Sequence, residues 1–290
     1  MKAPRFAYHA PATLEEALEV LAAEDGARPL AGGQSLVPLL KLRLTRPAAL
    51  VDLNGVRGLD GIDRDGGDVR VGALVRQQTL LEDDELARSH GLVREAVRYV
   101  GYRATRHRGT IGGSLAYAAP WAELPAVSVA LDATIEVRSA RGERTVRARE
   151  FFHDAYTTAL APDELITAVR FGAQPARTGA GFHEVSARFR DYAQAGAAAL
   201  VTLDDDGRCR DAELVLVRMA GAPHRVEIGD VVRGSRLDDA TLDRVVDALG
   251  PLDPPDDVQV SGAYRRRVAP VLARRALASA FARAGQGEAA

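Results

Sequence analysis

Two glycine pairs stand where a backbone could close around an anion: Ala31-Gly32-Gly33-Gln34-Ser35 and Thr110-Ile111-Gly112-Gly113-Ser114. A glycine pair after an apolar residue lets the chain turn with φ > 0 and aim several amide N–H groups at one point. Ser35 and Ser114 each add a hydroxyl donor beside those amides, and Thr110 adds another. A single Gly-Gly-x-Ser turn reads as an ordinary loop, because glycine is common in loops. Two such turns suit two linked phosphates, which favours a dinucleotide over a monophosphate. Neither turn matches G-x-G-x-x-G or G-x-x-x-x-G-K-S/T, so a Rossmann unit and a P-loop kinase are both disfavoured.

Other chemistries find little support. Cys209 is the one cysteine, so the chain alone has no internal disulfide, no iron–sulfur cluster and no thiolate zinc site. The six histidines show no metal-ligand spacing, and no metal is expected. His107 lies nearest the glycine turns and reads as a solvated loop residue. Ser35 and Ser114 have no identifiable base, which leaves acyl transfer unsupported and gives no catalytic residue to assign. With 38 Lys and Arg against 40 Asp and Glu, the net charge of −2 gives no general attraction to nucleic acid or anionic lipid. No apolar run reaches membrane-spanning length and the N-terminus lacks a signal-peptide pattern, so the expected location is the cytoplasm, without membrane insertion.

The elements that must position these turns can be traced along the 290 residues. Thr13-Leu14-Glu15-Glu16 is a capping box opening a helix with apolar positions Leu14, Ala17, Leu18, Leu21 and Ala22. Arg28 to Ala31 enters the first glycine turn as a strand, and Ser35 starts a helical turn limited by Pro38. Strands are expected at 50–53, at 59–63 and 69–73 around the Asp65-Gly66-Gly67 turn, at 134–139, 144–146 and 164–171. Thr79 reads as a second capping box; helices are expected at 92–100, closed by Gly101, and at 122–131, with Trp121 as a packing residue at the start. Residues 172–181 gather Gly, Pro, Ala and Thr and read as a boundary, with a smaller unit starting near Phe182. That unit contains a hairpin of 195–203 and 212–217, a helix at 238–249 and an Ala- and Arg-rich last helix at 268–283 whose arginines spread around a solvated surface.

The runs Arg28 to Pro38 and Arg108 to Ser114 resemble the FAD-binding signatures of the molybdenum hydroxylase family. More narrowly, nearly the whole chain is similar to the medium, FAD-binding subunits of carbon monoxide dehydrogenase and xanthine dehydrogenase-like enzymes. Asp163-Glu164-Leu165-Ile166, Arg190-Asp191-Tyr192-Ala193 and Tyr264-Arg265 carry further parts of the likeness.

The resemblance implies an α+β, two-subdomain FAD-binding fold of the PCMH type over 1–176, with subdomains of about 1–55 and 56–176. A smaller C-terminal α+β domain with an antiparallel sheet covers 177–290. It implies that Ala31, Gly32, Gly33, Gln34, Ser35, Thr110, Ile111, Gly112, Gly113 and Ser114 hold the FAD pyrophosphate, largely through main-chain N–H groups. Glu123 would bind ribityl or nearby hydroxyls, and Tyr192 would lie against the isoalloxazine ring. Two positions depart from the common pattern: Ala119 stands where many relatives have Asp, and Glu184 where many have Lys.

The implied function is an electron-transfer oxidoreductase subunit of a heteromeric molybdenum hydroxylase. FAD would pass electrons from a partner's iron–sulfur clusters to an external acceptor. Molybdopterin would sit on a large partner subunit and two-iron two-sulfur (2Fe-2S) clusters on a small one, in a dimer of heterotrimers. A self-contained flavin oxidoreductase and a cofactor-free assembly protein are the alternative readings.

Overall fold

The computed structural model describes residues 2–286. Strands Ala7–His9, Ala49–Asp52 and Arg28–Leu30 form a three-stranded parallel sheet with 49–52 in the middle. Parallel neighbours need crossovers. Helix Leu14–Ala23 and then helix Leu36–Leu42 supply them. The first helix starts on the expected capping box, Thr13 accepting from the Glu16 amide while Glu16 reaches back to Thr13. It buries Ala17, Leu18 and Leu21 with Ala49, Val51 and Leu53. Pro38 does not limit the second helix as expected. It falls in the first turn, where a missing N–H costs no hydrogen bond.

A five-stranded antiparallel sheet follows, in the order 62–65, 68–72, 165–171, 134–139, 142–147. Gly66 and Gly67 adopt positive φ at the tip of the first hairpin, as a two-residue turn requires. Helices Gly91–Val97, Ile111–Tyr117 and Glu123–Ala130 contribute to the same core, and every residue of Glu123–Ala130 is buried. The expected capping box at Thr79 is absent: Thr79 lies inside helix Gln77–Glu82, and Asp83 caps the next helix, Asp84–Ser89.

A four-stranded antiparallel sheet, 178–186, 193–203, 209–217 and 224–226, follows in sequence order. Strand Ala193–Leu203 has two packed faces. Ala195, Ala197, Ala199 and Val201 join the core under the last helix, while Ala198 and Leu200 join the core of the larger sheet. That explains its unbroken apolar run.

The strand begins at Thr178, so within the stretch 172–181 only 172–177 form the connection between the sheets. Gly179 and Gly181 belong to it because the last helix runs against them: a Cβ at either position would lie 2.0 Å from the Ala280 or Ala276 carbonyl oxygen. These glycines mark close packing rather than a loop. The last helix spans Gly262–Gln286, passing through Pro270, and begins six residues before Val268. Arg265, in the part of the helix before Val268, is fully buried.

Candidate functional site

The two glycine runs meet, but they are not alike. In the first, Gly33 turns with φ +72, and helix Leu36–Leu42 departs from it. The amides of Gly33, Gln34, Ser35 and Leu36 donate to no acceptor among the described residues. Four successive donors are left unpaired at one bend, a supply of N–H groups that an anion could use. The second run is no turn. Ile111 to Tyr117 is a helix whose N-cap, Thr110, accepts from the Gly113 amide at 3.0 Å.

The main-chain donors of this second run differ from the sequence-based expectation. Ile111 N donates to Val75 O, Gly112 N to Ala73 O, and Ser114 N to Thr110 O. Together with the Gly113 amide they are already consumed by the fold. What remains at this end is the Thr110 amide and the Ser114 hydroxyl, neither of which has a hydrogen-bond partner among the described residues. Gly112 is needed for approach instead: a Cβ there would stand 2.6 Å from the Ala73 Cβ and 2.8 Å from its carbonyl oxygen.

Gly32 locks the two runs together. A Cβ on it would come within 2.2 Å of the Arg108 carbonyl oxygen and 2.8 Å of Gly109 Cα. A Cβ on Gly113 would be in ordinary contact with Ala31 Cβ, at 3.6 Å, and would crowd its own cap, Thr110 Oγ1, at 2.8 Å. Polar side chains complete the clasp. Arg76 Nη1 donates to Arg108 O at 2.7 Å and its Nη2 to Asn54 Oδ1 at 2.8 Å, while Asn54 Nδ2 donates to Ala31 O at 3.0 Å. Asp52 Oδ1 accepts from the Asn54 backbone N–H and from Asn54 Nδ2, which sets the Asn54 side chain, and its Oδ2 accepts from the Tyr8 hydroxyl. Burial and the nearby Arg108 charge push the Arg76 guanidinium below its ordinary range. Asn54 and Arg76 escaped sequence reasoning. The Asp52-x-Asn54 turn after a strand was the available signal, but its partners are remote in sequence.

The helix Ile111–Tyr117 carries the chain about 10 Å from the glycine clasp toward an aromatic group, at 1.5 Å per residue. There Tyr117 meets Tyr156 at 5.1 Å, Tyr156 meets Trp121 at 5.9 Å, and Trp121 meets Tyr192 at 5.0 Å between ring centroids. Tyr192 is 61% exposed, so its ring is available to a flat partner. Its loop is anchored from below. Arg218 donates to Ala193 O and Arg265 to Gln194 O, and both guanidiniums bind Asp257. Arg218 also lies over Trp121, 5.3 Å from the ring centroid. Burial opposes ionisation of Asp257, yet the Gln259 and Val260 amides, with Arg265 and Arg218, hold its carboxyl down to about 2.

Glu123 opens helix Glu123–Ala130 and is 8% exposed, with no hydrogen bond to another residue among those described. Burial pushes its carboxyl above the ordinary range. Beside it Glu184, on strand Thr178–Ser186, has both carboxyl oxygens buried without a partner. Burial and then the Glu123 charge push it higher still. His107 accepts from Arg103 Nε at 3.1 Å on the exposed end of helix Arg103–Arg106. Among the described residues no cluster of three or more metal-ligating side chains occurs. No helix among them is long and apolar enough to cross a membrane.

Four unspent amides could receive an anion, and one short helix away an exposed aromatic group could receive a flat ring. Residues 4–173 match the family model of the FAD-binding domain in molybdopterin dehydrogenase, and residues 180–280 that of the CO dehydrogenase flavoprotein C-terminal domain. The carbon monoxide dehydrogenase medium chain of Afipia carboxidovorans is 38% identical over 96% of this chain and 98% of its own. The alpha subunit of the 6-hydroxypseudooxynicotine dehydrogenase complex of Paenarthrobacter nicotinovorans is also 38% identical, over 98% of this chain and 97% of its own. Among solved structures, reconstituted CO dehydrogenase from Oligotropha carboxidovorans superposes with a TM-score of 0.94 at 36% identity, covering 98% of this chain and 100% of that one. Quinoline 2-oxidoreductase from Pseudomonas putida 86 gives 0.93 at 35%, covering 98% and 99%. The chain belongs to the FAD-binding medium subunits of the molybdenum hydroxylase family, a family of oxidoreductases.

Proposed function

We propose that the chain relays electrons from a partner's iron–sulfur clusters, through FAD held in the clasp described above, to an external acceptor. The observation that carries this reading is the set of four unspent amides from Gly33 to Leu36, locked beside the free Ser114 hydroxyl by Gly32. These groups fit a pyrophosphate: the amides and the Ser35 hydroxyl take one phosphate and the Ser114 hydroxyl reaches the other. Ala31, Gln34, Thr110, Ile111, Gly112 and Gly113 shape this cradle. Glu123 accepts from cofactor hydroxyls, and Tyr192 lies against the ring. Bound FAD supplies a carrier that takes electrons singly and releases them as a pair.

The single, buried Cys209 leaves any iron–sulfur cluster to another chain. A large molybdopterin-binding subunit and a small 2Fe-2S subunit are the partners this reading requires, in a dimer of heterotrimers. Substrate is then oxidised on the large subunit. In this reading residues 1–176 form the FAD-binding domain and 177–290 the C-terminal domain, whose Arg218 and Arg265 hold the Tyr192 loop.

The test is anaerobic. The isolated chain, supplied with FAD, is expected to show flavin absorption near one equivalent and no bleaching by small oxidisable molecules. Co-purified with its partners, the flavin is expected to bleach on addition of the complex's substrate. Rapid bleaching of the isolated chain by a specific small molecule would instead mark a self-contained flavoenzyme. Absence of flavin binding in both preparations would mark an assembly protein.

A further inference from the structure

Two guanidiniums and one carboxylate meet beneath the Tyr192 loop. Arg218 Nη2 donates to Asp257 Oδ2 at 2.6 Å, and Arg265 Nη2 binds the same oxygen. Two positive groups therefore share one negative group, and they are not equally placed. The Arg218 and Arg265 side chains are 10% and 0% exposed, whereas that of Asp257 is 27% exposed. Water screens the carboxylate more than the guanidiniums, so the surplus charge is positive and lies on the inner side. Burial pushes the Arg218 guanidinium down, and the Arg265 charge adds to that against the pull of Asp257.

Arg218 joins this charge to the aromatic group. Its Nη1 donates to Ala193 O, the carbonyl next after Tyr192, at 2.5 Å. Its Cζ lies 5.3 Å from the Trp121 ring centroid, and Trp121 lies 5.0 Å from Tyr192. One side chain thus touches the backbone beside Tyr192 and the ring packed against Tyr192. To do so, Arg218 follows strand Cys209–Val217 in the left-handed region, with φ +63, which carries a conformational cost in any residue but glycine. Cation–π attraction explains its place over Trp121. It does not explain a second guanidinium alongside, since like charges inside a protein oppose each other.

We propose that Arg218 is a positioning residue for electron transfer: it fixes the Trp121–Tyr192 pair and holds a buried positive charge behind it, which makes a flavin lying on Tyr192 easier to reduce. This rests on the reading that Tyr192 lies against the FAD ring. Two electrons from a reductant and one proton from water leave the ring with one added negative charge. A positive charge held nearby, where the dielectric is low, stabilises that state over the uncharged oxidised ring. Asp257 acts in the opposite sense, because it offsets the arginines.

Anaerobic equilibration of the FAD-loaded chain with a reference dye of known potential, during slow reduction by dithionite, measures the effect. Arg218→Met, which keeps an apolar stem without the charge, is expected to shift the flavin–dye equilibrium about tenfold toward oxidised flavin, about 30 mV lower for a two-electron couple. Asp257→Asn is expected to shift it the other way. Arg218→Lys, which keeps the charge but not the paired bonds, is expected to stay nearer wild type than Arg218→Met. The opposite signs separate charge from packing, because a loosened loop alone moves both variants in one direction. Shifts of the same sign in Arg218→Met and Asp257→Asn, or no shift in either, overturn the proposal while leaving the FAD site in place. Where Arg218→Met does not fold, Asp257→Asn decides: a potential at or below wild type overturns the proposal. Failure of the wild-type chain to bind FAD overturns that site and this role together.

Discussion

Replacing Gly32 by Ala probes the point where the two glycine runs are pressed together. The added methyl would start 2.2 Å from the Arg108 carbonyl oxygen and 2.8 Å from both Arg108 C and Gly109 Cα, all backbone atoms that cannot swing away. Reaching ordinary contact requires the loops to part by roughly 1 Å, a displacement typical of overpacked sites that cost about 1–3 kcal/mol. The same movement stretches the 2.7 Å bond from Arg76 to Arg108 O, a charge-assisted interaction. It also carries the Ser114 hydroxyl away from the Gly33 to Leu36 amides. Since each 1.4 kcal/mol is about tenfold in affinity, FAD binding is expected to weaken about tenfold or more. Flavin fluorescence quenching measures the affinity, and urea unfolding followed by circular dichroism measures the stability. Gly61→Ala is the control, because a Cβ there meets nothing within 4 Å and its backbone is not left-handed. It is expected to change stability by less than about 1 kcal/mol. A Gly32→Ala protein with wild-type unfolding midpoint and wild-type FAD affinity would refute the argument that this contact sets the cleft.

Arg265→Ala leaves the carbonyls of Gln194 and Pro255 without that donor, while Asp257 keeps Arg218 and the Gln259 and Val260 amides, so a loss of about 1–3 kcal/mol is expected in denaturant unfolding. Tyr192→Ala, at a 61% exposed position, should leave the melting temperature within a degree or two while altering flavin absorption and fluorescence; unchanged spectra would remove the ring contact. Asp257 is held below its ordinary 3.8, to about 2, so the stability it contributes is complete above pH 3.8 and is lost as pH falls toward 2. Asp257→Asn should flatten that part of the acid unfolding curve. Burial pushes the Cys209 thiol up to about 11, so alkylation of this single thiol at pH 8 should be slow in buffer and should accelerate only with unfolding.

Much of the local structure was legible in residue order because its causes are local. The Thr13 to Glu16 box, the Asp65-Gly66-Gly67 hairpin and the two central strands of the C-terminal sheet follow from spacings of two to four residues. The glycine runs could be singled out for the same reason. Their difference could not be read: Gly33 supplies a left-handed turn, whereas Gly32 and Gly112 give way to backbone arriving from Arg108 and Ala73. Gly179 and Gly181 misled in the same manner, resembling a linker because the helix that presses on them lies a hundred residues downstream in the chain.

The sequence by itself determined the family resemblance, that this chain has no cysteine set for an iron–sulfur cluster of its own, and where most strands and helices begin. Tertiary structure decided which amides stay unspent, that Arg265 is a buried anchor beneath the Tyr192 loop, and that both Glu184 carboxyl oxygens are buried without a partner among the described residues. The physical reason is common to all three. A donor's availability, an arginine's burial and a carboxyl's proton depend on what other segments bring alongside, and that is set only when the sheets and helices close.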